Sequence, residues 1–475
     1  AQESRGLGDV YKRQIYQRQK LKRKCCRVKT DKYRRLLSCC PSLLDAADKT
    51  ANDMNEDLQN NIPAQVTAYV TAPVLFCYVS YILDSVKKKN INRIFFLSRD
   101  GYILKQIADI IIERKKLKIQ TSYLYVSRYS LRNALYYKCE TAEDFENAGL
   151  FTGYTLKSAK NFLKRAGLDN RQRAEVYEKI GFPYDENKDL SDSEYSAFCE
   201  KIKNDSALLC EIKNNSENNY HNIMKYFEQS GLFEKGKIAV VDSGWMGTVQ
   251  KTLTALVNGR TDDNIIGYYF GLYRREDDNY KAFLFDVTDA YKYVPTFCNN
   301  LFECFCSAPH GMTTGYSECD GKIIPVLSGA NAEMVKMAEI QTKTAARFTE
   351  YACENENYIP ICKMRDISAR LLKALMYKPD KQEAEILGAF PFSDDVTEAK
   401  IQCLAGNCKG SISNILLPVR IIRKKKGKSI YPDKYIYWLY GSIVLTGCKP
   451  AWVYRLSVRE WERLRLLRER RKLCR

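Results

Sequence analysis

A chain of 475 residues is long enough for two or three domains and for a substantial buried core. Its 45% hydrophobic and 28% charged residues are ordinary for a globular protein, and with only 2 His a histidine-built metal centre is excluded. The formal charge of +19 gathers at the ends: residues 1–40 carry a net +10 and residues 449–475 a net +7, leaving +2 on the body. A fold that grips nucleic acid carries its basic charge on the fold itself, so no specific nucleic-acid partner is expected. The basic ends read as solvated tails, or as a tether that touches an anionic membrane surface.

Residues 1–14, with Arg5 to Gln14 at their heart, read as a translated sequencing adapter and are set aside. A basic lead-in follows over 15–60. The stretch 58–83 carries no charge and is long enough to span a bilayer, yet Gln65, Thr67, Thr71, Pro73 and Ser80 interrupt it; a helix over Ile62–Lys88 that covers a sheet is the better account. Arg93 to Leu97 is an apolar strand that breaks at Ser98-Arg99-Asp100-Gly101. A helical face of Ile103, Leu104, Ile107, Ile110 and Ile111 follows. Ser122 to Val126 is a second strand, ending in Ser127-Arg128. Residues 140–235 are mostly helical and form an insertion or cap. Lys237 to Val241 is a third strand, followed by the loop Asp242–Thr248 and a helix; Ile265–Leu272 is a fourth strand.

Strands that alternate with helices predict an α/β protein, Rossmann-like, with a mostly parallel sheet, a helical insertion and a mixed C-terminal region. The sheet domain takes 61–139 and 236–325. Cys298–Tyr316 reads as loop-rich, and Gly329 to about Asn355 as a long helix. Short strands mixed with turns are expected over 385–450, within a C-terminal region of 326–450, and a basic helical tail over 451–475. The 18 Cys lie in apolar runs such as Leu75-Phe76-Cys77-Tyr78, the pattern of buried thiols in a reducing compartment; Cys25-Cys26 and Cys39-Cys40 lack the two-residue gap of a zinc knuckle. The expected location is the cytoplasm, with the inner-membrane surface within reach of the basic ends.

Ligands of parallel sheets bind at the carboxyl ends of the strands, where three of these strands carry polar residues. Asp242 stands at a strand end, and the turn Ser243-Gly244-Trp245-Met246-Gly247-Thr248 opens a helix, which makes a phosphate cradle of backbone N–H groups or, more simply, a helix cap. Trp245 either stacks on a ligand or wedges its loop. Arg99 and Arg128 sit at neighbouring strand ends and suit an anionic ligand, with Ser98 beside them. Asp100 orients Arg99 or holds a metal; His310, in Ala308-Pro309-His310-Gly311 with Glu303 seven residues earlier, suits acid–base work or a structural bond. The candidate catalytic residues are therefore Asp242, Asp100 and His310. The ligand side is Ser98, Arg99, Arg128, Ser243, Gly244, Trp245, Gly247, Thr248 and Glu303, and the candidate metal ligands are Asp242 and Asp100.

The strings Phe95-Phe96-Leu97-Ser98-Arg99-Asp100-Gly101-Tyr102, Tyr125-Val126-Ser127-Arg128, Val241 to Thr248 and Ala308 to Gly311 resemble the C-terminal region of bacterial hydrolases of the haloacid dehalogenase superfamily linked to surface-polysaccharide synthesis. The resemblance runs over roughly 60–450. It implies a phosphorylated sugar or sugar nucleotide as substrate, Mg²⁺ as cofactor and glycosyltransferases as partners. The chain departs from the superfamily's strand-end Asp-x-Asp, since Ser243 and Gly244 follow Asp242; in related full-length proteins the dehalogenase-type domain lies upstream. Two other readings remain: a phosphoribosyltransferase-like loop at Val240 to Thr248, and a non-catalytic scaffold of a glycan-assembly enzyme.

Overall fold

Five strands, four of them largely apolar, build one sheet. The computed structural model describes residues 30–54, 60–152, 157–183, 185–261, 265–354, 358–393, 401–409, 412–425 and 437–473. The adapter-like segment, residues 15–29 and 55–59 of the basic lead-in, and with them Cys25-Cys26, lie outside the described residues. Helices α1 (Asp31–Leu37), α2 (Pro41–Asn52) and α3 (Ile62–Lys88) precede β1 (Arg93–Leu97), α4 (Gly101–Arg114), β2 (Gln120–Leu124) and α5 (Arg128–Leu135). Four helices, α6 (Ala142–Asn147), α7 (Ala159–Arg165), α8 (Asn170–Lys179) and α9 (Asp192–Lys203), and the longer α10 (Ser206–Gln229) separate β2 from β3 (Ile238–Asp242). Next come α11 (Thr248–Val257), β4 (Ile266–Gly271) and β5 (Tyr280–Phe285). The sheet order is β2-β1-β3-β4-β5 and every pairing is parallel.

Alternate side chains divide between the two faces. Ile94, Phe96, Ala239, Val241, Tyr268 and Phe270 pack under α3 and α4, and Phe95, Leu97, Leu124, Ile238 and Val240 under α5, α10 and α11. Burial on both faces makes β1 and β3 apolar at every position but their first or last, where Arg93 and Asp242 stand. α3 is the one helix among the described residues that is long and apolar enough to cross a membrane, and 94% of its apolar window is buried inside the protein. Its uncharged surface is thus used up as sheet cover. Within the segment between β2 and β3, Phe145, Phe162, Leu163, Phe198 and Ile212 form a core of their own.

Four segments differ from the sequence reading. β2 begins two residues before the expected Ser122, and β5 was not expected at all. The chain passes from β4 to β5 through residues 272–279 without a helix, so the strand–helix alternation that marks parallel strands is absent there. After α12 (Ala290–Tyr293), the segment Cys298–Tyr316, expected to be loop-rich, forms α13 (Asn299–Phe305) and enters an antiparallel hairpin of β6 (Thr313–Cys319) and β7 (Lys322–Leu327). After α14 (Ala332–Cys353), which matches the expected long helix, the described C-terminal region is helical: α15 (Ile361–Met376), α16 (Lys381–Gly388), α17 (Leu417–Lys425), α18 (Leu439–Thr446) and α19 (Ala451–Leu473). Only the two-residue strands β8 (Pro391–Phe392) and β9 (Gln402–Cys403) interrupt it. α18 is apolar on most sides, so it shows no helical period and reads like a strand. Cys40, Cys77, Cys298, Cys304 and Cys306 are buried free thiols.

Candidate functional site

Strand order places the site. β1 and β3 are neighbours, yet α4 leaves β1 onto one face of the sheet and α11 leaves β3 onto the other. Helices that depart to opposite faces leave a crevice above the carboxyl ends of the two strands, the point where doubly wound sheets hold ligands. Both loops singled out in the sequence open there. The peptide bonds Ser98–Arg99 and Gly244–Trp245 are cis.

Ser243 joins the two loops. Its N–H donates to Asp242 Oδ1 at 2.8 Å and its hydroxyl donates to Asp100 Oδ2. Its carbonyl accepts from the N–H groups of Phe270 and Gly271 at 3.0 and 3.3 Å, which ties it to β4. The Tyr78 hydroxyl, from α3, donates to the Asp242 carbonyl at 2.8 Å. Asp242 is 9% exposed and Ser243 1%, whereas Asp100 keeps more access to solvent. Burial lifts both carboxyls above the usual carboxylate range. Asp242 is lifted further, because it also faces the charges of Asp100 and Glu303, and the Ser243 N–H and Arg128 oppose this only in part. Asp100 is drawn back toward ionisation by the Ser243 hydroxyl, then by Arg99 and Arg128. Asp242 is therefore the harder of the two carboxyls to ionise.

The helix starts separate an anion-ready side from a closed one. α11 begins at Gly247, which has φ +64 and no side chain to cap the helix, and α4 has no side-chain cap either, since Asp100 turns its carboxyl to Ser243. Neither Asp242 nor Thr248 caps α11, so the plain capping role is not theirs. α5, by contrast, is closed by a reciprocal capping box of Ser127 and Ser130. A Cβ on Gly247 would stand 2.5 Å from the Tyr280 ring, and one on Gly244, at φ +144, would stand 2.3 Å from the Gly271 carbonyl oxygen. Both glycines are needed for the loop to lie against the sheet. Arg128 is exposed at the first position of α5 and makes no ion pair among the described residues; Arg99 is half-buried, with its carbonyl accepting from the Tyr102 N–H at 3.0 Å.

Other expected site residues support the loops. Ser98 Oγ donates to the Val126 carbonyl at 2.7 Å and accepts from the Val126 N–H at 3.1 Å, strapping the β1 loop to the β2 loop. Trp245 is 9% exposed, lies parallel to Phe285 with ring centroids 6.2 Å apart, and packs on Phe297 and Phe302. Its indole N–H donates to Glu303 Oε1 at 2.5 Å, so in this structure Trp245 wedges the loop and Glu303 holds the wedge. His310 Nδ1 lies 2.8 Å from the Gly311 carbonyl and Nε2 lies 2.8 Å from the Tyr123 hydroxyl. A carbonyl only accepts, so Nδ1 carries the hydrogen and Nε2 accepts from Tyr123. Burial lowers the His310 pKa, the bond to the Gly311 carbonyl opposing it and Arg99 adding to it. Both ring nitrogens are engaged. Burial also pushes the Cys304 and Cys306 thiols up, with nearby carboxylates adding to the effect, so neither is a thiolate nucleophile.

Among the described residues no three His, Cys, Asp or Glu side chains gather as a metal cage. Asp100 and Asp242 are two adjacent carboxyls. That donor set suits Mg²⁺ held by one or two carboxylates together with substrate phosphate oxygens, and does not suit a metal enclosed by protein alone. Three contributors escaped sequence reasoning: Tyr78, Tyr123, and the buried pair in which the Tyr269 hydroxyl donates to Gln250 Oε1 at 2.7 Å behind Asp242. All three are aromatic or amide side chains inside apolar runs, where nothing local distinguishes them from core. No family model matches the chain, and none of the curated proteins compared with it matches either.

Proposed function

We propose that this chain is a hydrolase-type domain with a Rossmann-like fold and a helical insertion, of the haloacid dehalogenase kind. Its substrate is a phosphorylated sugar or nucleotide sugar of bacterial surface-polysaccharide synthesis. The observation that carries the reading is the Asp100–Ser243–Asp242 cluster: two carboxyls from different strand-end loops, bridged by one serine, beside Arg99 and Arg128. The resemblance requires an acid–nucleophile pair that the Asp242 loop lacks in sequence, and Asp100 supplies its second member in space.

The roles follow from the environments. Arg99, Arg128 and the first N–H groups of α11 hold the phosphate oxygens. The Asp100 carboxylate attacks phosphorus; the bond from phosphorus to the sugar oxygen breaks, and Asp242 gives its proton to that oxygen. Asp242, now ionised, takes a proton from water. The hydroxide attacks the Asp100 phosphoryl group, and inorganic phosphate leaves with both carboxyls restored. The Asp100 carboxylate would hold Mg²⁺ together with the substrate's phosphate oxygens, and the ion when bound would supply neutralisation of the phosphoryl charge.

Phosphate release from a panel of sugar phosphates, with Mg²⁺ present, tests the reading. Asp100→Asn and Asp242→Asn should each lower kcat by about 10²–10⁴-fold with KM little changed. If the wild-type chain releases no phosphate and no panel member shifts its melting temperature, the hydrolase reading fails and a non-catalytic scaffold takes its place.

A further inference from the structure

Three tyrosines and a histidine gather beside the strand-end loops and take no part in the phosphate chemistry above. β2 is the edge strand of the sheet, and most of its side chains stay exposed or half-exposed where those of β1 and β3 are buried. Tyr123, within it, and Tyr125, just beyond its end, meet edge to face with ring centroids 4.9 Å apart. Tyr102, in the first turn of α4, meets the Tyr123 ring at 5.6 Å. The His310 ring lies 5.1 Å from Tyr125 and 5.7 Å from Tyr123. All four rings are half-exposed. The cluster is tied to the Arg99 loop at two points. The Tyr102 N–H donates to the Arg99 carbonyl, and Ser98 is bonded to Val126, the residue after Tyr125. Burial first, then Tyr125 and the Asp100 charge, raise the Tyr123 phenol while Arg99 opposes them, so the rings stand within reach of the charges of the site.

The polar atoms of the cluster are unevenly used. Tyr123 donates to His310 Nε2, and His310 Nδ1 to the Gly311 carbonyl, both at 2.8 Å. The Tyr102 and Tyr125 hydroxyls make no hydrogen bond among the described residues. Edge cover alone would be met by phenylalanine. We propose that Tyr102, Tyr123, Tyr125 and His310 form the subsite for the sugar ring that the phosphate carries, an inference that rests on the crevice being a phosphate site. The rings offer apolar surface to the C–H groups of the sugar, and the Tyr102 and Tyr125 hydroxyls bond its hydroxyls. A nucleobase stacks flat on aromatic faces. These rings meet at 71° to 83°, save Tyr125 with His310 at 43°, which leaves no parallel pair to hold a base between them. The sugar ring is therefore the occupant.

Isothermal titration of inorganic phosphate, a panel of hexose phosphates and uridine monophosphate into the full chain tests it. The best hexose phosphate should bind about tenfold more tightly than inorganic phosphate. Tyr102→Phe and Tyr125→Phe keep the rings; each should weaken that hexose phosphate about fivefold and leave inorganic phosphate unchanged. Inorganic phosphate that binds as tightly as every hexose phosphate overturns the subsite and leaves the anion site standing. So do variants that bind the hexose phosphate like the wild type, and variants that lose both ligands equally, which would make the tyrosines part of the anion site. Uridine monophosphate that outbinds every hexose phosphate overturns it as well, with the base as occupant. If no phosphate compound binds at all, the anion site itself fails and the subsite with it.

Discussion

Two carboxyls held against one serine cannot both ionise without cost, and Asp242 bears the larger share. Its folded-state pKa is raised by burial and by the Asp100 and Glu303 charges, so the folded chain binds a proton that the unfolded chain gives up near the ordinary carboxylate range. Stability from this group is therefore complete at low pH and is lost as pH rises from that range through the raised value. Asp242→Asn removes the penalty. At neutral pH it should raise the melting temperature by roughly 2–4 °C, with the gain vanishing below about pH 4. Melting curves of the two proteins across that range check this; a lower melting temperature for the variant at neutral pH would mean that the carboxylate serves the fold. Increased stability with lost activity is the signature of a residue retained for chemistry.

At the scale of elements, the β3 loop works only because it lies against β4. Gly244→Ala would drive a Cβ to within 2.3 Å of the Gly271 carbonyl oxygen, at a φ of +144. The expected cost is about 2–4 kcal/mol in urea denaturation, together with loss of phosphate release; a neutral outcome would detach the loop from the sheet. Arg93 shows the same dependence from the other end of the strands. Its guanidinium donates to the carbonyls of Gly231, Glu234, Lys235 and Gly236, fixing the turn between α10 and β3. Arg93→Leu should cost about 1–3 kcal/mol by the same measurement, since four part-buried carbonyls lose their donor. Elements buried on both faces, β1 and β3, were legible as apolar runs, and so was α14. β5 was not, because no helix announces it. α18 was not, because a helix apolar on most sides has no period to read.

At the scale of the whole molecule, the loops of the site were legible one by one but their partnership was not. Asp100 and Ser243 are 143 positions apart, and only the reversal of strand order between β1 and β3 brings them together. The Asp242 loop carries no second carboxylate in sequence, and the topology brings Asp100 to Ser243 beside it. The roles within the site also divided: Trp245, Glu303 and Ser98 brace the loops, His310 is engaged at both nitrogens, and Asp100 and Asp242 meet at Ser243. The central claim is that this crevice is one anion site. Isothermal titration of inorganic phosphate tests it most directly. The account predicts one phosphate bound per chain, with affinity falling roughly 10–100-fold in Arg128→Gln and again in Arg99→Gln. Phosphate that fails to bind, or binds with the same affinity in both variants, would contradict it.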